Sequence, residues 1–398
     1  MKKILIVGDG IIGMLTALSL SANNNEVYLI KNKLEKRKKT TLDRFFSINL
    51  LSKYMLMKYE VWEDIFHQGV REYSSIVTWD DTDKNDVIFN SSSISYDHLG
   101  YVVSESSILN SLRRKVETNK LIYTIDPKNI NRISENNNNF FDIYIKQKIL
   151  KNVELIVKTN NLINNILPTT KQEKREIDYN HDALVLNIMV DKEVPDIAYQ
   201  KFSNNQIQGL LPISDNQYNL IWSGQKDIIE DVSNFNNLKL IKVLNNDLAP
   251  RIGNIIKIKN KLVFPLKGFH LNSYYQGHII SLGGAAHSIH PMAGLGLNMG
   301  IQDVFLLMKN IKLYKNTINK RFLSAFEYDC MKLNNRIYYT INFLKEFYIN
   351  GSYPKEFKSL SLKIFNNTTF IKNKIIEHAT GINTLENTLK EKHSYAYD

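Results

Sequence analysis

The first thirty residues alternate between short apolar runs and polar turns. Ile4–Val7 and Glu26–Ile30 have the length and composition of buried strands, and the apolar stretch Met14–Leu20 between them is typical of a helix. This order predicts a strand, a tight turn, a helix and a second strand, followed by a basic loop at Lys31–Lys39. The chain therefore begins with a β-α unit and a second strand.

The middle of the chain changes to a different pattern. Asn136–Asn139 predicts a polar turn, with its neighbouring strands expected at Ile122–Ile125 and Phe141–Ile145. Between residues 182 and 224, short segments of alternating apolar and polar residues predict a sheet separate from the first.

Helical periodicity returns at Gly300–Ile311 and Lys320–Tyr348, ahead of a basic, amphipathic tail. With 398 residues, 43% of them hydrophobic, the chain is long enough for a large core and for two or three domains.

The net charge indicates which classes of binding partner are compatible with the chain. A formal charge of +11 fits nucleic acid, an anionic membrane surface, or a composition rich in Lys and Asn. The lysines are scattered, and zinc-finger spacing, a helix-turn-helix and an aromatic-basic platform are absent from the sequence, so we expect no nucleic acid partner. We favour composition as the cause, with membrane contact second. No apolar run reaches the ~20 residues that span a bilayer.

The cysteine content and the N-terminal segment indicate the cellular compartment in which the protein is expected. The single Cys330 cannot form an internal disulfide, so nothing indicates an oxidising compartment. Asp9 and three glycines interrupt the apolar stretch that a secretory signal needs. We expect a cytoplasmic protein, with peripheral contact at the inner face of the membrane as an alternative.

Gly8, Gly10 and Gly13 have the spacing of a dinucleotide-binding turn and lie between the first strand and the first helix. In such a turn the first glycine permits the bend, the second lets backbone approach a pyrophosphate, and the third lets the helix pack on the strand. The helix N-terminus faces the negative charge. We therefore favour dinucleotide binding over a plain strand-to-helix turn.

A second glycine-rich block, Ser281–Asp303, lies far along the chain. It resembles the flavin-binding signature G-D-A-A-H-x-x-x-P-x-x-G-Q-G-x-N of FAD-dependent aromatic hydroxylases. The matching positions are Gly283, Ala285, Ala286, His287, Pro291, Gly294, Gly296 and Asn298. Within that superfamily the best resemblance is to the ubiquinone-biosynthesis hydroxylases, also called the 2-polyprenyl-6-methoxyphenol hydroxylase family.

Further segments carry the narrower resemblance. Leu99–Val103 is similar to the family's motif before the second Rossmann helix, and the end of the chain, His378–Gly381, is similar to the family's tail. Ala198–Phe202 and Leu210–Pro212 are similar to its substrate-sheet strands. The resemblance spans nearly the whole chain.

The resemblance implies an α/β fold: a discontinuous Rossmann-type FAD-binding domain, an inserted β-rich substrate domain and a C-terminal helical region. The FAD-binding domain would comprise residues 1–75, 99–167 and 266–335. The substrate domain would comprise residues 76–98 and 168–265, and the helical region residues 336–398.

The activity that the resemblance implies is hydroxylation of a polyprenylated phenol in ubiquinone biosynthesis. FAD would be the cofactor, O2 the oxidant and NAD(P)H a reductant that is held only transiently. In the family, the residue matching Pro291 lines the flavin face where oxygen reacts, which makes it the one catalytic candidate, and no metal is expected. The implied cofactor-binding residues are Gly8, Gly10, Gly13, Arg44, Gly283, Gly284, Pro291, Gly294, Gly296, Leu297 and Asn298.

The chain departs from the family pattern at several flavin contacts. Gly284 replaces an Asp that bonds the ribityl chain, and Lys31 replaces an acidic residue at the adenosine ribose. Asn160 stands in place of the middle Asp-Gly motif, and Leu295 in place of Gln. Two lost charged hydrogen bonds would together cost about 3 to 6 kcal/mol, which weakens FAD binding without excluding it.

These departures leave alternatives open. A non-catalytic relative could serve as a scaffold in a quinone-biosynthesis complex, and a flavin hydroxylase could act on a soluble aromatic. Arg44 is interpreted either as a flavin or pyrophosphate contact or as a surface arginine that begins a helix.

Two remaining features favour structural interpretations. His287 and His290 are three residues apart, but no acidic or Cys residue lies close in sequence to complete a metal site, and the resemblance makes His287 structural. In Phe343–Phe370, aromatic residues alternate with lysines, as in interfacial helices; packing on the FAD domain is the favoured alternative to membrane contact.

Overall fold

The computed structural model describes residues 1–31, 43–81, 86–168, 172–203, 205–290, 294–348 and 368–387. The strands in these ranges are β1 (Lys3–Val7), β2 (Glu26–Ile30), β3 (Phe45–Ile48), β4 (Val70–Tyr73), β5 (Ser75–Asp80), β6 (Val87–Asn90), β7 (Gly100–Ser104), β8 (Ile122–Ile125), β9 (Ile130–Glu135), β10 (Phe141–Ile145), β11 (Lys148–Lys158), β12 (Lys174–Val190), β13 (Ile197–Ser203), β14 (Gln206–Ser214), β15 (Gln217–Gln225), β16 (Ile255–Leu271), β17 (Tyr275–Gln276), β18 (Ile279–Ser281) and β19 (His287–Ser288). The helices are α1 (Ile11–Ser21), α2 (Leu50–Lys58), α3 (Trp62–His67), α4 (Glu105–Thr118), α5 (Lys226–Asn234), α6 (Asn237–Ile252), α7 (Gly296–Leu313), α8 (Lys320–Tyr348) and α9 (Thr369–Thr380).

The first sheet is built on five parallel strands in the order β18-β11-β1-β2-β8. β17 pairs antiparallel with β18, and the hairpin of β9 and β10 extends from β11. Residues 4–7 of β1 are fully buried, because both edges are paired and both faces are covered. The Rossmann-type α/β fold predicted from the sequence is confirmed.

The second sheet has eight strands in the order β19-β16-β12-β15-β14-β13-β5-β6 and is antiparallel except between β13 and β5. Helices α5 and α6 cover one face, where Leu184 and Leu186 of β12 belong to the same buried cluster as Leu240, Leu244 and Leu248 of α6. Residues of the opposite face line a cavity that is described below.

A small third sheet, in the order β3-β7-β4, contacts β14 of the second sheet on one side and helices α4 and α7 on the other. The segment Leu99–Val103 forms most of β7 in this sheet, just before α4. Helix α4 begins there because the Ser104 hydroxyl accepts a hydrogen bond from the amide of Ser107, as an N-cap should.

The strand that precedes the Asn136–Asn139 turn differs from the prediction. The turn at Asn136–Asn139 joins β9 to β10, whereas Ile122–Ile125 is β8, at the edge of the parallel core. In β9 the buried residues Ile130 and Ile133 are three positions apart, so the strand lacks the alternation on which the prediction relied.

The C-terminal half of the chain closes the largest core. Helices α7 and α8 pack on each other and α7 packs on α1, and Phe322 and Phe326 of α8 are fully buried in this cluster. In the described part of the chain no helix is long and apolar enough to cross a membrane. Residues 349–367 of the segment Phe343–Phe370 lie outside the described residues.

We expect Phe326→Ala to lower the free energy of unfolding by about 3 to 5 kcal/mol, because it leaves a cavity in the α7–α8 core. Tyr328→Ala, on the same helix at 64% exposure, is the matched control and should change stability by less than about 0.5 kcal/mol. Urea denaturation followed by circular dichroism measures both. Equal losses would contradict the assigned packing of α8.

Candidate active site

The first glycine turn has no room for side chains at two positions. Gly8 has φ +113°, and a Cβ there would lie 2.5 Å from the Asn160 amide nitrogen. At Gly13 a Cβ would lie 1.8 Å from the carbonyl oxygen of Gly8, which keeps α1 against the turn. A Cβ at Gly10 would have no atom within 4 Å. The turn is closed on its inner side and open at Gly10.

The second glycine block packs directly on the first. A Cβ at Gly300 would lie 2.8 Å from Cδ1 of Ile12, and one at Gly283 would lie 3.2 Å from Cγ1 of Ile12. Gly283 also has φ +51°, which glycine adopts at little cost. Ile12 of α1 therefore packs on both Gly283 and Gly300 of α7, and the two turns, distant in sequence, share one site.

A cavity of about 290 Å³ opens where the two turns meet. It is lined by Gly10, Ile11, Ile12, Gly13, Phe46, Glu105, Leu109, Thr159, Asn160, Gly283, Gly284, Gly296 and Leu297. We call it the glycine cavity. Its walls combine the predicted residues of both turns with β3 and α4.

Two helix N-termini border the glycine cavity. Helices α1 and α7 start after Gly10 and Leu295, and neither has a side-chain cap. The first amides of each helix are thus left to a ligand or to water, and the helix dipoles favour negative charge there. A Cβ at Gly10 or Gly296 would meet only open space. The cavity therefore fits a ligand whose phosphate groups and ring lie directly against the backbone at these positions.

Arg44 is held by another residue of the chain. Its Nε and Nη2 donate to the two carboxylate oxygens of Glu105 at 2.7 and 2.6 Å, and Glu105 itself lines the glycine cavity. Arg44 therefore offsets the negative charge of Glu105 beside a site that is suited to anions.

The residues that depart from the family pattern occupy different places. Gly284 lines the cavity, and a Cβ there would have only the Thr159 carbonyl oxygen, at 3.6 Å, so a larger side chain would fit. Asn160 also lines the cavity, and its Oδ1 accepts from the amide of Leu162 at 3.1 Å. Lys31 lies at the end of β2, with its Nζ 3.8 Å from Glu117.

A second, largely apolar cavity of about 230 Å³ adjoins the Gly294–Asn298 loop. We call it the apolar cavity. The second sheet, the third sheet and α9 form its walls, and the side chains include Ile76, Phe89, Leu99, Ala198, Tyr199, Ile207, Leu210, Leu211, Ile221, Ile375 and Ile376. A flat ring that extends from the glycine cavity along this loop would form the floor of the apolar cavity.

The side chain of Asn298 is fully engaged within the protein. Its Nδ2 donates to the carbonyl oxygen of Ser47 at 2.8 Å, while its Oδ1 accepts from the Asn49 amide at 3.0 Å and from the Ser52 hydroxyl at 2.8 Å. Asn298 thus ties the start of α7 to β3 and α2, and only its backbone amide remains for a cofactor.

Asp303 is a functional residue to which the sequence analysis gave no role. Its side chain is fully buried, and one oxygen accepts from the amide of Gly283 at 2.9 Å and from Nε2 of His287 at 2.7 Å. The other oxygen accepts from Asn334 of α8 at 2.8 Å. A buried carboxylate with three donors is compensated, and it fixes the second glycine turn. The sequence signal that could have found it is that Asp303 is the one acidic residue in the mainly apolar segment that forms α7.

The same network continues to His270. Asn334 donates to the hydroxyl of Tyr274 at 3.0 Å, which lies 2.6 Å from Nε2 of His270. Burial, followed by the nearby His287, lowers the pKa of His270 from 6.5 to about 4. His270 is therefore neutral at physiological pH.

Pro291 lies outside the described residues. His290, which precedes it, is buried, and its amide donates to the hydroxyl of Tyr179 on β12 at 3.1 Å. His290 is therefore bound to the second sheet. In the described ranges no group of three or more His, Cys, Asp or Glu could hold a metal ion.

Comparisons with known proteins agree with this geometry. Residues 167–338 match the family model described as FAD binding domain. The 3-demethoxyubiquinol 3-hydroxylase of Escherichia coli (strain K12) is 22% identical over 311 residues, covering 77% of this chain and 78% of the relative. These similarities identify the chain as an FAD-dependent monooxygenase.

Two further comparisons extend over more of this monooxygenase. Ubiquinone biosynthesis monooxygenase COQ6, mitochondrial, of Rattus norvegicus is 20% identical over 406 residues, covering 88% of this chain and 85% of the relative. The crystal structure of p-nitrophenol 4-monooxygenase PnpA from Pseudomonas putida DLL-E4 has a TM-score of 0.71 at 13% identity, and 96% of this chain and 98% of that chain are covered. The fold is therefore shared along nearly the whole length.

In this monooxygenase, the uncapped ends of α1 and α7 and the open positions Gly10 and Gly296 would hold FAD. Bound FAD supplies the electron transfer and oxygen chemistry. With FAD bound, the backbone amides of this chain would hold the pyrophosphate and the apolar cavity would exclude water. Asp303 holds the second turn in place.

We expect Gly10→Ala to leave the fold intact and to weaken FAD binding at least about tenfold, because the added methyl occupies space reserved for the ligand. Gly13→Ala is the matched substitution, and it should destabilise the fold itself by about 3 kcal/mol through its overlap with Gly8. Fluorescence titration with FAD and thermal melting separate the two effects. Unchanged FAD affinity in a folded Gly10→Ala protein would argue against the glycine cavity as the cofactor site.

The pH dependence of stability should contain a contribution from His270. The pKa of His270 is 6.5 in the unfolded chain and about 4 in the folded protein, so the folded protein binds this proton only at lower pH. This contribution is complete above pH 6.5 and is lost as the pH falls to about 4, for a total of about 3 kcal/mol. His270→Gln should remove that part of the slope in urea denaturation series. Parallel pH profiles for both proteins would show that His270 is not held neutral by the fold.

Proposed function

We propose that this monooxygenase hydroxylates a phenol with a polyprenyl tail in ubiquinone biosynthesis, using NAD(P)H and O2. The observation that carries the proposal is the apolar cavity beside the Gly294–Asn298 loop. Its aliphatic and aromatic wall suits a substrate that is mostly hydrocarbon, because such a substrate gains about 25 cal/mol for each Å² that it buries.

The relatives support the same substrate class. Two proteins that match along most of this chain are named for ubiquinone biosynthesis or for a demethoxyubiquinol. The sequence contains one dinucleotide-binding turn, Gly8–Gly13, which would hold FAD. NAD(P)H would therefore bind only transiently as the reductant. Cooperation with other quinone-biosynthesis proteins belongs to this proposal as well.

A peripheral membrane contact would bring such a substrate to the cavity. Phe370 and Ile371 of α9 are 72% and 45% exposed, and Lys372 and Lys374 lie beside them. Ile375 lines the apolar cavity and is itself partly exposed on this helix. Apolar and basic groups next to a cavity are the combination that anionic lipid surfaces attract.

The protein, reconstituted with FAD, should oxidise NAD(P)H faster when a polyprenylphenol is added, and the product should carry one new ring hydroxyl whose oxygen comes from ¹⁸O2. Mass spectrometry of the extracted product provides the measurement. Gly10→Ala is the control, since it keeps the fold and, at an FAD concentration that saturates only the native protein, should form less product. A holoenzyme that hydroxylates only a soluble aromatic would replace the proposed substrate, and a holoenzyme that transfers no oxygen would refute the activity.

A further inference from the structure

A pair of hydroxyl groups interrupts the wall of the apolar cavity. The hydroxyls of Ser47 on β3 and Tyr73 on β4 lie 2.7 Å apart, and both residues line the cavity. Tyr73 is only 5% exposed, so its hydroxyl is removed from bulk water. The two groups form a polar spot on a surface that is otherwise mainly hydrocarbon.

Several other polar side chains of this wall are bonded to the main chain. The hydroxyl of Thr380 donates to the carbonyl oxygen of Ile376 at 2.7 Å, and that of Thr78 donates to Val87 at 3.3 Å. The Asn49 side chain donates to Ala379 at 3.0 Å and accepts from the amide of Ser52. Their hydrogen-bonding capacity is largely used by the fold.

The Ser47–Tyr73 pair differs from these groups because its two members bond to each other. Two hydroxyls carry two hydrogens, and their mutual bond uses one of them, so one hydrogen and several lone pairs remain for a ligand. Burial raises the pKa of the Tyr73 hydroxyl, with the Ser47 hydrogen bond opposing the shift. Tyr73 therefore keeps its proton at neutral pH and can act as a donor.

The pair lies close to the Gly294–Asn298 loop. The carbonyl oxygen of Ser47 accepts from Asn298 at 2.8 Å, so β3 is fixed to the start of α7. A Cβ at Gly294 would lie 3.7 Å from Cβ of Ser47, which is ordinary contact. A substrate atom held by the two hydroxyls would thus have a defined position relative to that loop.

The neighbouring strand leaves space for the Tyr73 hydroxyl. A Cβ at Gly100 would lie 2.4 Å from that oxygen, so glycine is needed there for the ring to reach Ser47. The position of the pair therefore depends on strand β7 as well as on β3 and β4.

We propose that the Ser47–Tyr73 hydroxyl pair binds the phenolic oxygen of the substrate and thereby selects which ring carbon faces the flavin. This inference rests on the proposed function, which makes a phenol the substrate. A few placed polar groups in an apolar cavity fix the orientation of a ligand, and they disfavour an analogue that lacks the matching atom.

The test compares two probes, 2-prenylphenol and prenylbenzene, which differ by one hydroxyl. Isothermal titration calorimetry on the FAD-reconstituted protein gives the affinity of each. The native protein should prefer the phenol, and Tyr73→Phe should reduce this preference about three- to tenfold, as expected for the loss of one neutral hydrogen bond. FAD affinity should not change.

Tyr101→Phe is the matched control. Tyr101 lies on β7, and its hydroxyl accepts from Lys53 at 2.8 Å, so the same chemical change occurs in the same small sheet away from the apolar cavity. Its preference for the phenol should equal that of the native protein. Ser47→Ala is a second variant that keeps the Tyr73 ring, and it should lose part of the preference.

The outcomes separate the two proposals. If the native protein prefers the phenol and both Tyr73→Phe and Ser47→Ala retain the full preference, the inference is overturned while the proposed function stands. If the native protein binds both probes equally, the phenol substrate of the proposed function fails and the inference fails with it. A loss in Tyr73→Phe that is absent in Tyr101→Phe supports the hydroxyl pair.

Discussion

Ile12 lies between two glycines from the far end of the chain, and a Cβ at either one would lie 3.2 Å or less from its side chain. This close approach of two main-chain turns is possible only because Gly283 and Gly300 lack side chains. It brings the N-termini of α1 and α7 to one cavity, where their dipoles add. A cofactor that spans both turns would therefore be bound mainly by backbone, and its binding would depend little on altered positions such as Gly284.

Asp303 connects this cofactor turn with the C-terminal helices. Burying a carboxylate is costly unless donors surround it, and Gly283, His287 and Asn334 supply three. Since Asn334 belongs to α8, this hydrogen bond connects the turn to α8. Helix α8 thereby supports the second glycine turn although it does not line the glycine cavity.

The apolar cavity depends on contacts between three layers. Asn298 binds β3, Asn49 follows β3 and binds α9 through Ala379, and α9 forms one wall of the cavity. Two amide side chains, those of Asn298 and Asn49, therefore hold the Gly294–Asn298 loop, the small third sheet and α9 together. This arrangement places a polar hydroxyl pair and a hydrocarbon wall beside the same loop.

The sequence by itself determined the first glycine turn, β2 and the length of α8, because glycine spacing and apolar periodicity are local properties. The Rossmann-type fold was implied by the resemblance of the second glycine block to a known flavin-binding signature. The sequence did not reveal β9, whose buried residues do not alternate. It also left open the partner of Arg44, which tertiary structure places against Glu105, 61 residues away. The bonds of Asp303 and the Ser47–Tyr73 pair likewise join distant segments. Only the packing of sheets and helices decides which of many polar residues meet, so these parts of the site were settled by the tertiary structure.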